Sequence, residues 1–309
     1  MLYTLCISLY TVLVAKYVPD VTTNRWVIIA EGRSKRPTDA AKTQNVNKIC
    51  IFCPSFEKVP GEELYRIGSG SAYEKGWKVR VIKNKFPITD FHEVIIHSPD
   101  HEMDIDRLPI EQVNLILMTF RERFNANFRN GHVLIFNNVG EQAGASISHP
   151  HSQLVVFPNQ ISVDALTLEP IQNIIKETEH FIAFCPDFSQ WPFEVWIAPK
   201  RRDEFFGQVT NEELLALAHI LQDSLVRLIT HLSGGAHFHP GVPMIHFKDG
   251  PAYNFYIHFG RDWYLRIVPR LIHRAGFELG TGLSVNIVDP VDAAEILSAE
   301  LDSHDPKSI

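Results

Sequence analysis

The sequence is poor in cysteine, with four among 309 residues, and it lacks an excess of positive charge. So few cysteines do not make a disulfide scaffold, and they indicate a reducing compartment, from which we expect a cytoplasmic location. Lysine and arginine number 29 against 36 aspartates and glutamates, which gives a formal net charge of -7. This balance provides no general attraction to nucleic acid or to an anionic membrane, so we expect neither as a partner.

Low-complexity tracts and apolar runs of membrane-spanning length are absent as well. Residues 1–15 are mostly apolar, but Lys16 ends the run before the roughly 18 residues that a span needs. No positive residue precedes the run and no clear small-residue cleavage site follows it. We therefore favour a buried strand, an extension or a misassigned start over a targeting segment. The composition, 45% hydrophobic and 21% charged, is typical of a globular protein with one large or two ordinary domains.

Hydrophobic periodicity predicts three helices, at 109–128, 210–230 and 289–301. Thr210 with Glu213 forms a capping-box pattern before the second helix, and Asp289 followed by Pro290 is typical of a helix start. Short apolar runs predict nine strands, at 26–30, 77–82, 93–97, 132–137, 153–157, 181–185, 194–198, 254–258 and 264–268.

The order of these elements repeats along the chain. Two strands, a main helix and two further strands occur once before residue 160 and once after it. This order predicts an α+β fold built from two copies of one unit, each an antiparallel sheet with a main helix. We expect an N-terminal domain at 1–165 and a C-terminal domain at 166–309.

A segment of small residues and histidines precedes the strand at 153–157: Gly144-Ala145-Ser146-Ile147-Ser148-His149-Pro150-His151-Ser152-Gln153. Two histidines that flank one residue point to the same side of a strand. Small side chains let a phosphate approach backbone N–H groups, and a histidine is a nucleophile when an acceptor holds its other nitrogen. Ser146 and Gln153 can donate hydrogen bonds to phosphate oxygens. The segment therefore predicts a functional site.

A second motif is Cys50-Ile51-Phe52-Cys53-Pro54. Cysteines at this spacing are a redox pair, half of a metal site or a coincidence. No second pair exists, because Cys6 and Cys185 stand alone, so a metal would need two ligands from elsewhere. His101 and His149 are the candidates, and two cysteines with two histidines form a closed, structural zinc site. Such a zinc would tie the early loop to the His-Pro-His segment.

The third motif is the basic run Arg33-Ser34-Lys35-Arg36-Pro37. It is either a solvated turn or a phosphate clamp, since arginine makes bidentate contacts with phosphate. The residue types alone leave both interpretations open.

Together these motifs resemble the galactose-1-phosphate uridylyltransferase family, within the histidine-triad superfamily. Similar pieces occur in the family's order across most of the chain. They are 26–30 with the basic run, the cysteine pair, Asn84-Lys85-Phe86-Pro87, 92–96, Ser98-Pro99-Asp100-His101, 136–140, the His-Pro-His segment, and 275–282 with Asn286. The cysteine pair together with His-Pro-His-Ser-Gln is a specific combination, whereas either motif alone is a weaker signal.

The resemblance implies a role for each matching residue. His151 would be the nucleophile that takes a nucleotidyl group. A structural Zn²⁺ would be held by Cys50, Cys53, His101 and His149. Substrate contacts would come from Arg33 and Arg36 to the phosphates, Asn84 and Phe86 to base and ribose, Asn138, Gly144, Ser146 and Gln153 around the α-phosphate, and Phe277 and Glu278 toward a sugar phosphate.

The reaction implied by the resemblance is double displacement, in which His151 attacks a nucleoside-diphosphate sugar and a second phosphate-bearing acceptor then takes the nucleotide. Hydrolytic relatives carry a third histidine where Gln153 stands, and an amide cannot protonate a leaving group. This difference favours transfer to a phosphate over hydrolysis.

Several functions remain open at this point. The expected one is uridylyl transfer from UDP-glucose to a hexose 1-phosphate, within galactose and carbohydrate metabolism. The alternatives are a phosphorylase or adenylyltransferase that uses ADP-glucose or a dinucleoside polyphosphate, a hydrolase, and a non-catalytic zinc protein that binds a nucleotide. Family members are commonly dimers, so the resemblance also implies a homodimer.

The chain departs from the family pattern in its second half. Family members often carry His-Trp-His before a late strand, whereas this chain has Asp262-Trp263-Tyr264-Leu265-Arg266. We therefore predict no second metal site of that kind and expect the second unit to be non-catalytic support, with Tyr264 and Arg266 structural. The histidines at 237, 239 and 246 are interpreted as part of a polar loop.

Overall fold

The computed structural model describes residues 15–20, 25–35, 50–58, 61–161, 170–233 and 245–301. Twelve strands and four α-helices lie within these ranges. The strands are β1 (Lys16–Asp20), β2 (Arg25–Ile29), β3 (Glu63–Gly68), β4 (Trp77–Lys83), β5 (Phe91–Ile96), β6 (His132–Val139), β7 (His151–Phe157), β8 (Ile174–Glu177), β9 (Phe181–Phe184), β10 (Val195–Pro199), β11 (Tyr253–Ile257) and β12 (Leu265–Pro269). The helices are α1 (Ile110–Asn127), α2 (Asn211–Leu232), α3 (Gly276–Thr281) and α4 (Pro290–Ser298).

Ten of the strands form one sheet in the order β3-β4-β5-β7-β6-β11-β12-β10-β9-β8, and β1 pairs separately with β2. Every pairing in the large sheet is antiparallel. The first five strands and the last five occur in mirrored order and meet where β6 pairs with β11. The predicted α+β fold of two similar units is confirmed, and the sheets of the two units are continuous.

The two long helices cover one face of this sheet. Residues of α1 such as Phe120 and residues of α2 such as Leu221 share a single buried cluster with Leu154 and Val156 of β7. Because side chains alternate along a strand, His151 and Gln153 of β7 lie on the opposite face. That face carries the candidate site.

The helix starts follow the sequence signals. The Thr210 hydroxyl accepts a hydrogen bond from the N–H of Glu213 at 3.2 Å, and the Glu213 carboxylate accepts from the N–H of Thr210 at 2.7 Å. Asp289 accepts from the N–H of Val291 at 2.9 Å and Pro290 begins α4. The predicted caps of α2 and α4 are therefore confirmed. None of the helices in the described ranges is long and apolar enough to cross a membrane.

Four elements lack a sequence prediction: β1, β3, β8 and α3. Of these, β3 and β8 form the two edges of the large sheet. On β3 only Tyr65 and Ile67 pack against the core, and Glu63 pairs with the fully buried Arg80 of β4 at 2.7 Å, so the apolar pattern is too short to indicate a strand. Some predictions fall outside the described residues, namely those on Arg36, on the boundary at 165, on residues 1–14, and on the histidines at 237 and 239.

Candidate functional site

Two glycines shape the loop that leads from β6 to β7. Gly140 has φ of 81° and Gly144 has φ of 83°, which are left-handed values that favour glycine. A β-carbon on Gly140 would lie 2.6 Å from the backbone oxygen of Pro251, so a larger residue does not fit there. The loop is thereby folded back so that β7 begins at His151.

The imidazole of His151 is oriented by its own chain. Its Nδ1–H donates to the backbone oxygen of His149 at 2.8 Å, which leaves the lone pair on Nε2. The residue is 8% exposed and lines a cavity of about 200 Å³ together with Asn138, Gly140 and Ser148. Burial lowers the pKa of His151 to about 4, so the ring is neutral at pH 7. A neutral imidazole with one nitrogen held and the other at a cavity can act as a nucleophile.

The predicted nucleotide contacts form a chain of neighbours beside His151. The guanidinium of Arg33 donates to the backbone oxygen of Phe86 at 2.9 Å. The Asn84 side chain accepts from the N–H of Phe86 at 2.8 Å, and its amide nitrogen lies 3.1 Å from Nε2 of His92. The same Nε2 lies 3.0 Å from Oε1 of Gln153. The structure therefore brings Arg33, Asn84, Phe86 and Gln153 together.

All four predicted metal ligands form a compact cluster: Cys50, Cys53, His101 and His149. One ligand atom from each lies within 4.8 Å of all the others. The shortest approaches join Cys53 Sγ to His101 Nδ1 at 3.3 Å and to His149 Nδ1 at 3.6 Å. His149 Nε2 lies 2.9 Å from the backbone oxygen of Ser98, to which it donates. This outer hydrogen bond fixes the tautomer with Nδ1 as the free ligand atom, as is usual for a metal-binding histidine.

The donor set suits a divalent cation. Burial raises the pKa of Cys53 to about 11, and the neighbouring Cys50 adds to the rise. Burial lowers the pKa of His149 to about 4, which keeps that imidazole neutral and able to coordinate. Two sulfurs and two neutral imidazole nitrogens are the ligands that structural zinc prefers. The group can therefore hold a metal ion.

A buried network that the sequence motifs did not indicate lies on the helix side of β7. His97 donates from Nδ1 to Asp104 at 3.0 Å, and the Ser152 hydroxyl donates to Nε2 of His97 at 2.8 Å. Asn137 donates to the backbone oxygen of His151 at 2.9 Å. Burial alone would raise the pKa of Asp104, but the contacts with His97 and the N–H of Ile105 together outweigh burial and lower it. The network thus holds the backbone carbonyl of His151 and the side chain of Ser152, which follows it.

The equivalent face of the second unit is filled. Tyr264 directly precedes β12, the strand that occupies in the second unit the place that β7 has in the first. The Tyr264 ring stacks on Trp196 at 4.1 Å and on His258 at 4.8 Å between centroids. Aromatic side chains thus pack closely around Tyr264 on this face.

The remaining predicted residues lie in three parts of the chain: β6, the loop before β7, and α3. Asn138 is at the end of β6, where its side-chain oxygen accepts from Asn254 at 2.7 Å, and Ser146 is half-buried in the loop. Phe277 and Glu278 lie in α3. The Phe277 ring is 56% exposed, and Glu278 accepts from the N–H of Ala275 at 3.0 Å. Neither lines the cavity beside His151.

Comparisons with known proteins agree with the motifs. Residues 91–159 match a family model described as galactose-1-phosphate uridyl transferase, N-terminal domain. The chain is 28% identical to ADP-glucose phosphorylase from Arabidopsis thaliana across 90% of this chain and 91% of that protein. It is 26% identical to galactose-1-phosphate uridylyltransferase from Thermotoga maritima across 65% of this chain and 71% of the relative. The crystal structure of the Arabidopsis protein with bound ADP-glucose superposes with a TM-score of 0.69, covering 93% of this chain and 100% of that one at 27% identity. The resemblance drawn from the motifs is confirmed.

Proposed function

We propose, taking this family resemblance as the premise, that the chain transfers a nucleoside monophosphate from a nucleoside-diphosphate sugar to a phosphate-bearing acceptor through His151. The observation that carries the proposal is the orientation of the His151 ring. Its Nδ1–H is held by the backbone oxygen of His149 at 2.8 Å, and its Nε2 is left to attack. A phosphorus–nitrogen bond keeps a high transfer potential, so two easier steps replace one difficult step.

We propose ADP-glucose as the donor and inorganic phosphate as the acceptor. The support is coverage: the Arabidopsis relative is matched over 91% of its length, against 71% for the Thermotoga one. Nε2 of His151 would bond to the α-phosphorus, and the α–β phosphoanhydride bond would break to release glucose 1-phosphate. A phosphate oxygen would then attack the same phosphorus, break the bond to nitrogen and release ADP. Both steps balance without another reactant.

A second candidate is uridylyl transfer from UDP-glucose to galactose 1-phosphate. The match of residues 91–159 to the uridyl transferase model favours it. The chemistry at His151 would be the same, and only the base and the acceptor would differ.

The roles of the other residues follow the chemistry of their side chains. Gln153 and Ser146 would donate to the α-phosphate oxygens, and Gly144 with Asn138 would shape the loop around them. Donors that are fixed in advance stabilise the charge that develops on these oxygens. Arg33 and Arg36 would pair with phosphates, Asn84 and Phe86 would line the base and ribose pocket, and Phe277 with Glu278 would contact the sugar phosphate.

Zinc is the metal that we propose for Cys50, Cys53, His101 and His149. When bound it would supply a rigid connection between the cysteine loop and the start of β7, and no step of the reaction would pass through it. We further propose that residues 166–309 support the catalytic N-terminal unit, 1–165, without a second active site, and that the protein works as a homodimer.

The test is mass spectrometry of the protein after mixing with ADP-glucose, and separately with UDP-glucose, with no acceptor present. An adenylyl mass on the peptide with His151 supports the proposal, and a uridylyl mass selects the second candidate. His151→Asn should abolish the adduct, whereas His132→Asn, at the far end of β6, should retain it. Glucose 1-phosphate release without an adduct would indicate a hydrolase, and no product with either donor would indicate a binding protein.

A further inference from the structure

The buried histidine of β5, His92, contacts the side chain of Gln153 and is absent from the motif-based set of site residues. It is 2% exposed and lies opposite Val155 of β7, one position diagonal to Gln153 on the same face of the sheet. Both of its ring nitrogens have close polar neighbours. Those neighbours determine which nitrogen carries the proton.

The backbone fixes the tautomer of His92. The N–H of Ile88 points at Nδ1 at 2.9 Å, and a backbone N–H can only donate. Nδ1 must therefore be the acceptor, and in a neutral ring the proton is on Nε2. Near Nε2 lie Oε1 of Gln153 at 3.0 Å and the amide nitrogen of Asn84 at 3.1 Å.

Only one of these two neighbours can accept the proton. The Asn84 oxygen already accepts from the N–H of Phe86 at 2.8 Å, so the Asn84 atom that faces His92 is a donor. The Nε2–H of His92 consequently donates to Oε1 of Gln153. This bond orients the Gln153 amide with its oxygen toward β5 and its two N–H donors away from His92.

We infer that His92 is a positioning residue, which holds the Gln153 amide so that its NH₂ group, and not its oxygen, faces the substrate phosphate. This inference rests on the proposed function, because it concerns the same phosphate. An amide rotated by half a turn would present a carbonyl oxygen to phosphate oxygens, where the charges repel. The orientation of the amide acts on the phosphate, so its loss should appear in the reaction rate of the folded protein. Removing the ring also leaves the Ile88 N–H without its acceptor, so the rate and not stability is the readout.

The kinetic test uses single-turnover formation of the nucleotidyl adduct. His92→Phe keeps a ring and removes the donor, and we expect the rate to fall roughly 10- to 100-fold, as for other misplaced catalytic donors. His92→Gln can donate from about the same position and should recover most of the rate. The control is His132→Phe, the same exchange at a half-buried histidine outside the site, which should leave the rate unchanged.

A double-variant cycle separates positioning from packing. If His92 acts through Gln153, then His92→Phe should cause no further loss in a Gln153→Ala background. Losses that multiply in the double variant would overturn the inference, and so would a His92→Phe rate equal to that of the wild type.

Nuclear magnetic resonance of the ¹⁵N-labelled histidine rings tests the pairing without activity. We expect His92 to be neutral with its proton on Nε2, and we expect that resonance to shift in Gln153→Ala. A proton on Nδ1, or an unchanged resonance, would overturn the inference. If neither donor labels the wild type, the proposed function fails, yet the ring spectrum still decides whether His92 pairs with Gln153.

Discussion

The buried ion pair of the second unit, Glu194 with Arg266, gives a prediction about the stability of the fold. Glu194 is 1% exposed and Arg266 is 6% exposed. The guanidinium approaches both carboxylate oxygens, with Nε at 2.7 Å from one and Nη2 donating to the other at 2.8 Å. The carboxylate also accepts from the Trp196 indole at 2.6 Å and from the N–H of Gln190 at 3.0 Å.

Replacing Glu194 with alanine would leave these buried donors without an acceptor. An uncompensated buried charge costs about 3–5 kcal/mol, and each abandoned buried donor adds about 1 kcal/mol or more. With two such donors, Gln190 N–H and the Trp196 indole, we expect Glu194→Ala to lower the free energy of unfolding by roughly 5–7 kcal/mol. Replacing both partners with apolar residues, Glu194→Met with Arg266→Leu, should cost much less, because no charge is then left unpaired.

Urea unfolding, followed by tryptophan fluorescence, measures this free energy. The matched control is Asp203→Asn, which removes the charge from an exposed pair with Arg261 and should cost at most about 1 kcal/mol. The adduct at His151 should still form on the folded fraction of Glu194→Ala. A loss below about 1 kcal/mol for Glu194→Ala would refute the reasoning.

Two further predictions concern the metal and the pH dependence of stability. Cys50→Ser should remove bound zinc, measured by elemental analysis, and lower the melting temperature. The control Cys185→Ser, at a buried cysteine outside the cluster, should keep the zinc. Unchanged metal content in Cys50→Ser would disprove the assignment. Burial would raise the pKa of Glu63, but hydrogen bonds from Arg66 and Arg80 outweigh burial and lower this pKa. The carboxylate therefore stabilises the fold at pH values above the unfolded-state pKa of about 4.3, and this contribution is lost as the pH falls through the lower pKa of the folded state. The melting temperature of Glu63→Gln should therefore fall less than that of the wild type between about pH 5 and about pH 2, and parallel curves would contradict this.

The interior of the fold was predictable from sequence because apolar alternation and helical periodicity both report burial. The predicted helix at 109–128 corresponds to Ile110–Asn127, and the nine predicted strands each match an observed strand within a few residues. The edge strands β3 and β8 were not predicted because many of their residues are charged or half-exposed. In β3 the half-buried Glu63 forms an ion pair with Arg80 of β4, which no hydrophobic pattern can indicate.

At the site, the cysteine pair and the His-Pro-His segment predicted a group of four metal ligands that the structure brings together. These motifs could be recognised because their residues are close in sequence. Cys50 and His149 are 99 positions apart, yet their ligand atoms lie 3.7 Å apart. His92 and His97 were not identified, since each acts through a residue on a neighbouring strand. A histidine within an apolar run is the signal that could have drawn attention to both.

The continuous sheet limits how such a chain can change over evolution. If the second unit were deleted, β6 would lose β11 and become a bare edge, with a row of backbone groups open to pairing with other chains. The second unit therefore serves the first by covering the edge of β6. The unit that provides this cover has a packed face of its own, on which the buried rings of Tyr264 and Trp196 stack at 4.1 Å.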